Sequence, residues 1–457
     1  MLYKSRKRKV HFIGIGGIGM SGIAEVLLSQ GYKVSGSDIA DSDITRRLSS
    51  LGAKVHVGHR EENLGDADVV VVSSAIDEKN PEIIMAIKHK VPIIQRAEML
   101  AELMKMKTGI AIAGTHGKTT TTSMVATIVQ SSGLDPTIII GGRVDALGGN
   151  AKSGAGDFLV AEADESDKSF LHLPATIAIV TNIDNDHLNN YGDIGNIKNA
   201  FVDFVNRIPF YGQAILCLDD ENVKSILPRL KKTFLTYGFS PQADLQARHD
   251  VALGFGSEFD VWFQEKELGR VTCHVPGVHN VLNSLAAIAT GLEIGLSFAQ
   301  VKKGLEQFKG VRRRFELKGE KAGIKVFDDY GHHPTEIKAT LAAARASWQG
   351  RIVTLFQPHR YSRTQDCYED FVKAFDATDV LFVSDIYPAG EAPIEGISSE
   401  KLADDIFRHG HRSVEYVGDV KSAPEKIIGK LHEGDLFITL GAGNGYQAGE
   451  KLLQILK

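Results

Sequence analysis

The stretch GIAIAGTHGKTTTT, residues 109–122, decides the fold class of this chain of 457 residues. Residues 109–113 are apolar and indicate a buried strand, and the threonines that follow Lys118 begin a helical pattern. The turn between them carries two glycines and a lysine, and its backbone amides can hold phosphate oxygens. It departs from the common GxxxxGK[ST] form because residue 112 is Ile. The stretch still predicts a phosphate-binding strand–loop–helix unit of an α/β protein.

Val- and Ile-rich runs alternate with helical patterns on both sides of this stretch, which predicts parallel sheets built from βαβ units. Within residues 244–275, polar and apolar residues alternate around glycine turns, as in an antiparallel excursion. The predicted strands cover residues 9–15, 33–38, 54–58, 68–76 and 92–96 in a first series, 109–113, 158–162, 177–183 and 214–218 in a second, and 324–327, 352–356, 380–383 and 436–440 in a third. We therefore predict three domains: a Rossmann-like N-terminal domain (1–107), a central P-loop ATPase-like domain (108–311) and a Rossmann-like C-terminal domain (312–457).

Composition excludes several other classes of protein. Hydrophobic residues make up 43% and charged residues 24%, so the chain can bury a large core and is not mainly disordered. The net charge of -5 gives no general attraction to polyanions, and we expect no nucleic-acid partner. No uninterrupted apolar run is long enough to span a membrane, and the three widely spaced cysteines fit a reducing cytoplasm. Residues 4–28 superficially resemble a signal peptide, but five glycines and Glu25 within the apolar part argue against one. Oligomeric state is left open.

Another glycine-rich turn, GIGGIG at residues 14–19, lies between a predicted strand and a predicted helix, and we call it the first glycine loop because it comes first in the chain. In that context Gly14 permits the tight turn, Gly16 allows close approach to a diphosphate, and Gly19 allows close helix packing. Asp38 ends the next predicted strand, where its carboxylate could bond a ribose hydroxyl. These residues alone favour a dinucleotide enzyme, although a structural turn or a site for another nucleotide diphosphate also fits.

Polar residues end two strands of the second series. Glu162 begins the acidic segment EADESD, and His187 ends the segment TNIDNDH at residues 181–187. Because the carboxyl ends of parallel strands meet at one edge of a sheet, we expect both near the phosphate loop. Carboxylate oxygens there could bind Mg²⁺. A solvated acidic loop and a structural histidine are the alternatives.

Two polar loops follow neighbouring strands of the third series: DDYGHHP at residues 328–334 and QPHRYSR at residues 357–363. We expect them to lie side by side, with Arg360 and Arg363 able to bind a carboxylate or phosphate by paired hydrogen bonds. The adjacent His332 and His333 suggest zinc, but no third ligand stands at a familiar spacing, so we do not expect that metal.

The order of these motifs resembles that of the Mur ligases, ATP-dependent amide-forming enzymes of bacterial cell-wall synthesis. The segments that carry the resemblance lie at residues 11–25, 114–122, 162–167, 181–187, 277–287, 312–316, 328–336 and 357–364. They span nearly the whole chain. GTxGKT alone would indicate only the wider family, which includes folylpolyglutamate synthases, whereas DDYGHHPTE and QPHRYSRT are similar to the alanine-adding branch.

The resemblance implies three domains that bind a UDP-sugar, ATP and an amino acid, with catalysis in the cleft between them. It also implies that the first glycine loop holds the diphosphate of UDP rather than NAD. The residues implied for the UDP-sugar are Gly14, Gly16, Gly17, Gly19, Asp38, Ser73 and Ser74; those for ATP are Gly114, Thr115, His116, Gly117, Lys118, Thr119, Thr120, His279, Asn280, Asn283, Arg314 and Asp329; those for Mg²⁺ are Thr119, Glu162 and His187; those for catalysis are Lys118, Glu162 and His187; and those for the amino acid are Tyr330, His332, His359, Arg360 and Arg363.

The reaction implied is the joining of L-alanine to the lactoyl carboxylate of UDP-N-acetylmuramate, through an acyl phosphate made from ATP, in cytoplasmic peptidoglycan precursor synthesis. Three alternatives remain. A ligase of the same family could attach a recycled peptide to the same UDP-sugar. An NAD-dependent oxidoreductase would explain GIGGIG but not GTHGKTTTT. A nucleotide-switched binding module would bind the same ligands without turnover.

Overall fold

The computed structural model describes residues 8–73, 75–144, 149–186 and 188–456. The chain divides into two compact units. The first comprises Met1–Ala247, Val261–Gly269 and Leu282–Phe308, and the second comprises Arg248–Asp260, Arg270–Val281 and Lys309–Lys457. Both are built mainly on parallel sheets, so the predicted α/β class is confirmed.

The N-terminal sheet has five parallel strands in the order β3-β2-β1-β4-β5. Its strands are β1 (Lys9–Ile13), β2 (Lys33–Asp38), β3 (Lys54–Val57), β4 (Val69–Val72) and β5 (Ile93–Gln95), and its helices are α1 (Ile18–Ser29), α2 (Asp43–Ser50), α3 (Pro81–Lys88) and α4 (Arg96–Met104). The order of strands reverses at β1, which pairs with β2 on one side and β4 on the other. Ligands of open α/β sheets bind at such a switch point, and the first glycine loop follows β1 there.

The central sheet has ten strands in the order β15-β14-β13-β12-β11-β10-β6-β9-β7-β8. Its strands are β6 (Thr108–Ala113), β7 (Thr137–Val144), β8 (Gly149–Lys152), β9 (Phe158–Glu162), β10 (Ile177–Val180), β11 (Gln213–Cys217), β12 (Phe234–Gly238), β13 (Leu245–Ala252), β14 (Ser257–Phe263) and β15 (Lys266–Cys273). Its helices are α5 (Lys118–Ser131), α6 (Leu188–Tyr191), α7 (Ile194–Asn206), α8 (Glu221–Ile226), α9 (Val278–Glu293) and α10 (Phe298–Gln307). Strand β6 lies between β10 and β9, so the loops that follow these three strands meet at one edge.

The predicted antiparallel excursion is present as β13, β14 and β15. Leu253 and Gly256 exchange backbone hydrogen bonds across the first turn. Gln264 and Glu265, which form the second turn, both have positive φ, as two-residue hairpins with primed turns require.

The C-terminal sheet has six strands in the order β16-β17-β21-β18-β19-β20, of which only β16 is antiparallel to its neighbour. Its strands are β16 (Glu316–Lys321), β17 (Ile324–Asp329), β18 (Ile352–Phe356), β19 (Val380–Ser384), β20 (Val414–Gly418) and β21 (Leu436–Leu440). Its helices are α11 (Pro334–Ser347), α12 (Tyr361–Asp366), α13 (Tyr368–Val372), α14 (Ser399–His409), α15 (Ala423–Ile427) and α16 (Tyr446–Ile455). The loops that follow β17 and β18 flank the loop that follows β21.

Each unit has its own hydrophobic core. In the first unit, Phe170 stacks on Phe204 with ring centroids 5.0 Å apart and meets the edge of Phe201 at 5.3 Å. In the second unit, buried side chains cover both faces of the six-stranded sheet. Over the described ranges, no helix is both long and apolar enough to cross a membrane.

A buried polar network ties the N-terminal sheet together through Glu82 on α3, whose side chain is completely buried. One carboxylate oxygen of Glu82 accepts hydrogen bonds from His11 Nε2 (2.9 Å) and Ser37 Oγ (2.7 Å). The other accepts from Asn63 Nδ2 (2.8 Å) and the Arg60 amide (3.1 Å). Burial raises the pKa of this carboxyl, but the hydrogen bonds from His11, Asn63 and Ser37 outweigh it and lower the pKa from 4.5 to about 2.

We predict that Glu82→Ala destabilises the first unit by about 3 to 5 kcal/mol, because it leaves several buried polar groups without their partner. Urea unfolding followed by circular dichroism measures this, with the exposed Glu78→Ala as the control. The lowered pKa places the stabilisation above pH 4.5, and about 3 kcal/mol of it disappears as the pH falls from 4.5 towards 2. Equal unfolding midpoints for the two variants at pH 7 would contradict the prediction.

Candidate functional site

The phosphate loop follows β6 and ends at the first residue of α5. Gly114 has φ +133° and Gly117 has φ +81°, a region of backbone conformation that favours glycine. A Cβ on Gly114 would lie 2.0 Å from Thr181 Oγ1, and one on Gly117 would lie 2.7 Å from Asn283 Oδ1. Both glycines are therefore required by backbone conformation and by the close approach of neighbouring segments.

The segment after β10 holds the phosphate loop in shape. The His116 amide donates to Asn182 Oδ1 (2.7 Å), and Thr181 Oγ1 donates to the His116 carbonyl (2.6 Å). The Asp184 amide donates to Thr115 Oγ1 (2.9 Å), and the Asp184 carboxylate lies 2.9 Å from His116 Nε2. The polar TNIDNDH motif thus orders the loop directly, in addition to any role towards a ligand.

Lys118, the first residue of α5, is largely buried, with 17% of its side chain exposed. Its ammonium donates to Glu165 Oε1 (2.9 Å) and to the carbonyls of Gly114 (2.6 Å) and Thr115 (3.1 Å). Burial lowers the pKa of Lys118, but the carboxylates of Glu165 and Asp164 outweigh this and raise it. The lysine is charged at neutral pH and stands at the positive end of a helix, where an anion is also favoured.

Two side chains with oxygen atoms that could bind a metal ion, Glu162 and Thr119, belong to the elements around this lysine. Glu162, the last residue of β9, accepts a hydrogen bond from the Gly141 amide (2.8 Å), and its charge contributes to the raised pKa of Lys118. Thr119 follows Lys118 in the first turn of α5. Asp164 instead accepts from the Ser166 amide (3.0 Å) and approaches Arg96 (3.7 Å). His187, which the sequence assigned to metal binding and catalysis, lies outside the described residues.

The first glycine loop makes close contacts with the end of β2. The amides of Gly14 and Ile15 both donate to the Ser37 carbonyl, at 2.8 and 3.0 Å. The Gly16 amide, which the sequence assigned to diphosphate, donates to Asp38 Oδ2 at 2.8 Å. In this structure Asp38 therefore orders the loop itself, a contact that the sequence did not indicate.

The other residues predicted for the UDP-sugar that the structure describes lie around the first glycine loop. Ser73, just after β4, packs against Gly14, with its Cβ 3.5 Å from the position of a Cβ on that glycine. A Cβ on Gly19 would lie 3.1 Å from the Arg96 side chain, and Gly17 precedes the first residue of α1. Ser74 lies outside the described residues.

Three of the residues predicted for ATP, namely His279, Asn280 and Asn283, lie in the first half of α9. Asn283 belongs to the first unit and accepts a hydrogen bond from Thr121 Oγ1 (3.1 Å) on α5. His279 and Asn280 belong to the second unit, where Asn280 Nδ2 donates to the Pro276 carbonyl (2.7 Å). Burial lowers the pKa of His279 to about 4, so its imidazole is neutral at pH 7.

Asp329, the last residue of β17, is buried and organises the loop that follows it. Its oxygens accept from the amides of Phe315 (2.7 Å) and Gly331 (2.8 Å) and from Thr340 Oγ1 (3.2 Å). Arg314, assigned with it to ATP, lies 5.1 Å from the centre of the Tyr330 ring. The structure thus gives Asp329 a structural role that the sequence did not reveal.

The predicted amino-acid residues of the second unit form a row of rings. The Tyr330 and His332 rings are 5.4 Å apart, and the His332 and His359 rings are 6.0 Å apart. Burial lowers the pKa of His332 to about 4, and burial together with His332, Arg363 and Arg360 lowers that of His359 to about 3. Both imidazoles are therefore neutral at pH 7, and the positive charge of this row comes from the arginines.

Arg360 and Arg363 lie on the arginine segment, residues 357–363. Arg360 is exposed and has φ +69°, which is uncommon for a residue with a side chain. Arg363 Nη1 lies 3.4 Å from His359 Nδ1. His333, by contrast, caps α11 by accepting from the Thr335 amide (3.4 Å), a structural role that accounts for the second histidine of the pair.

Two residues that contact the predicted site residues were not indicated by the sequence. Arg96 lies between the first glycine loop and Asp164, and Tyr387 stacks on His359 at 5.5 Å with an angle of 8° between the rings. Tyr387 follows β19, the neighbour of β18, so the rule that loops meet at the carboxyl ends of parallel strands would have found it. No comparable signal marks Arg96.

We predict that a substitution in the phosphate loop and one in the first glycine loop weaken the binding of different ligands. Gly114→Ala should weaken ATP binding at least about tenfold and leave UDP-sugar binding unchanged, because its Cβ clashes with Thr181. Gly16→Ala should do the reverse, because its Cβ would lie 2.8 Å from Asp38 Oδ2. Isothermal titration calorimetry with each ligand checks both. The prediction fails if either variant weakens both ligands equally or neither.

Comparison with known proteins covers nearly the whole chain. Residues 9–108 match the model of the Mur ligase family, catalytic domain; residues 112–291 match the Mur ligase middle domain; and residues 313–443 match the Mur ligase, glutamate ligase domain. Relatives named UDP-N-acetylmuramate–L-alanine ligase from Geotalea uraniireducens and a Geobacter species are 57% and 59% identical, over 98% of this chain and of each relative.

Solved structures agree with these matches. The crystal structure of UDP-N-acetylmuramate-alanine ligase from Thermotoga maritima is similar with a TM-score of 0.83 and 31% identity, over 98% of both chains. A murein peptide ligase from Psychrobacter arcticus is similar with a TM-score of 0.72 and 25% identity, over 98% of both chains. Because three family models match between residues 9 and 443 and these relatives are aligned over nearly the full chain, the chain belongs to the Mur ligase family.

Proposed function

We propose that this protein is an ATP-dependent ligase that joins L-alanine to the carboxylate of UDP-N-acetylmuramate in peptidoglycan precursor synthesis in the cytoplasm. The observation that carries the proposal is a largely buried, charged Lys118 at the end of the phosphate loop, in the same unit as the first glycine loop, which lies at a sheet switch point. Relatives 57–59% identical over nearly the full chain bear the name of this activity. We also propose that residues 1–107, 108–311 and 312–457 bind the UDP-sugar, ATP and the amino acid respectively.

The chemistry needs activation because a carboxylate is a poor electrophile. The lactoyl carboxylate oxygen attacks the γ-phosphorus of ATP, the bond to the bridging oxygen breaks, and ADP leaves. The amine of alanine then attacks the acyl phosphate, an amide forms, and phosphate leaves with one former carboxylate oxygen. Lys118 would stabilise the charge on the transferred phosphoryl group, since a fixed ammonium needs no reorganisation during the step.

The residues near Lys118 fit a magnesium ion by the chemistry of their donors. Glu162 supplies a carboxylate and Thr119 a hydroxyl, the hard oxygen ligands that Mg²⁺ prefers beside phosphates. Bound there, the ion would neutralise phosphate charge. His187 remains part of this proposed set. Gly114, Gly117 and the segment after β10 would hold the phosphate loop in a conformation that can receive a triphosphate.

The second unit supplies recognition of the amino acid in this proposal. Arg360 and Arg363 would pair with the alanine carboxylate, since guanidinium groups bind carboxylates with paired hydrogen bonds. The neutral imidazoles of His332 and His359 add no charge of their own, so the arginines decide which end of the amino acid is bound. A small side-chain site would distinguish alanine from glycine or serine only weakly, because one methyl group contributes about 1 to 3 kcal/mol.

Lys118→Ala tests the role of the phosphate loop. We expect release of ADP in the presence of alanine and UDP-sugar to fall by about 10²-fold or more, since a preorganised charge is lost, while UDP-sugar binding stays unchanged. A coupled ADP assay and calorimetry measure the two effects, and the exposed Lys105→Ala is the matched control. Undiminished ADP release by Lys118→Ala would rule out the assignment.

Product analysis tests the reaction itself. The protein is incubated with ATP, Mg²⁺, UDP-N-acetylmuramate and an equimolar pool of the amino acids and the L-alanine-containing tripeptide, and the products are identified by mass spectrometry. We expect the L-alanyl conjugate to dominate. A dominant tripeptide conjugate would instead assign the peptide-attaching activity named for the Psychrobacter arcticus structure, and no conjugate at all would leave ligation unsupported.

A further inference from the structure

The arginine segment is held by a second segment whose residues no motif had singled out. This tyrosine segment, residues 386–391, follows β19 and contains Tyr387, Pro388 and Glu391. The Tyr387 amide donates to the Pro358 carbonyl (2.8 Å), and the Arg360 amide donates to the Tyr387 carbonyl (2.9 Å). These two bonds pair the backbones of His359 and Tyr387 as a parallel bridge. His359 follows β18 and Tyr387 follows β19, so the bridge lies beyond the ends of these two paired strands.

Glu391 adds a second attachment three residues further along the arginine segment. Its Oε2 accepts from the Ser362 amide (3.0 Å), and its Oε1 accepts from Ser362 Oγ (2.7 Å). Ser362 lies in the first turn of α12, and Arg360, the residue that precedes this helix, makes no capping bond with its own side chain. Glu391 therefore supplies from outside the acceptor that a capping residue would normally supply.

The conformation of Arg360 explains why two attachments are needed. Its φ of +69° and ψ of 140° fall in a region that residues with side chains rarely adopt. Such a conformation persists only when the surrounding structure over-determines it. Tyr387 fixes the backbone at Pro358 and at the amide of Arg360, and Glu391 fixes it at Ser362, so the unusual residue lies between anchored points.

We propose that Tyr387 and Glu391 are positioning residues that hold Arg360 and Arg363 in the arrangement that receives the carboxylate of the amino acid. Tyr387 acts through the backbone and through the face of His359, on which its ring stacks at 5.5 Å. Glu391 acts through Ser362 at the start of the helix that carries Arg363. The proposal rests on the proposed function, because the arginines bind an amino acid only if that function is correct.

The charge of Glu391 and its positioning role predict opposite changes in the KM for alanine when Glu391 is removed, so the direction of the change tests the proposal. Burial raises the pKa of Glu391, but the hydrogen bonds from Ser362 and the charge of Arg360 outweigh it and lower the pKa, so Glu391 carries negative charge near Arg360. If Glu391 only competed with the substrate carboxylate for Arg360, its removal would lower the KM for alanine. If it positions the segment, its removal raises that KM. Glu391→Gln separates the two effects, because it removes the charge but keeps an oxygen acceptor for Ser362.

The experiment measures kcat and the KM for L-alanine, ATP and UDP-N-acetylmuramate in the full-length protein. We expect Glu391→Ala, which removes both acceptors of Ser362, to raise the KM for alanine about tenfold or more, because misplaced binding groups lose affinity, with kcat within about threefold and the other two KM values within about twofold. Tyr387→Ala keeps the backbone bridge and removes only the ring that stacks on His359, so we expect it to raise the KM for alanine by a smaller factor. Glu391→Gln and Tyr387→Phe should stay close to wild type, because they keep the acceptor and the ring. Glu395→Ala, which removes an exposed carboxylate of the same β19–α14 connection, is the control.

Arg360→Ala shows how much the KM for alanine rises when a proposed carboxylate-binding side chain is lost, and the other variants are compared with it. If it raises the KM for alanine while Glu391→Ala lowers it or leaves it unchanged, the positioning role is wrong and the proposed function stands. If Glu391→Ala changes kcat and all three KM values together, its role is structural and the inference is overturned. If the wild type shows no dependence on alanine, the proposed function fails, and the inference fails with it. Should Glu391→Ala not fold, Tyr387→Ala against Tyr387→Phe, together with Ser362→Ala, decides by the same criteria.

Discussion

The ammonium of Lys118 is the charge around which the first unit is arranged. It lies largely buried at the first residue of α5, where the helix dipole is also positive, so it needs negative partners. In this structure Glu165 and two loop carbonyls fill that need. A protein with an isolated buried cation at this place would be destabilised by several kcal/mol. The same requirement makes the loop a strong site for a polyphosphate, which brings more negative charge than the loop carbonyls do.

The loops around both units are held by one recurring device, a short polar side chain that bonds to the backbone of a loop after a neighbouring strand. Asn182 holds His116, Asp38 holds Gly16, and Glu391 holds Ser362. Asp38 and Asn182 stand at or just after the carboxyl end of a strand, and Glu391 lies in the connection that follows the carboxyl end of β19, so all three are on the side of the sheet where parallel topology brings loops together. Loops fixed in this way keep their amides and charges in place without a ligand, and a ligand then binds with little loss of loop entropy.

Sequence patterns predicted the interior strands well because those strands are buried on both faces. The strands at 33–38, 158–162, 352–356 and 436–440 have the predicted bounds. Strand β16 has the sequence ELKGEK, with Leu317 as its one apolar residue, so its pairing with β17 rather than its composition makes it a strand. The predicted strand 68–76 ends at Val72, because Ser73 begins the turn that packs against Gly14. The hydrogen bonds that Asp38 accepts from the Gly16 amide and Asp329 from the Phe315 amide could not be predicted, since they depend on how two loops meet.

We infer that this chain transfers the γ-phosphoryl group of ATP to a carboxylate before the amide forms. The most direct measurement uses UDP-N-acetylmuramate with both lactoyl carboxylate oxygens labelled with ¹⁸O, followed by mass spectrometry of the phosphate released during ligation. We expect each phosphate to carry one ¹⁸O and the amide product to keep the other. Phosphate without ¹⁸O, formed at the same rate as the amide, would show that water and not the carboxylate attacks ATP, and would contradict the account.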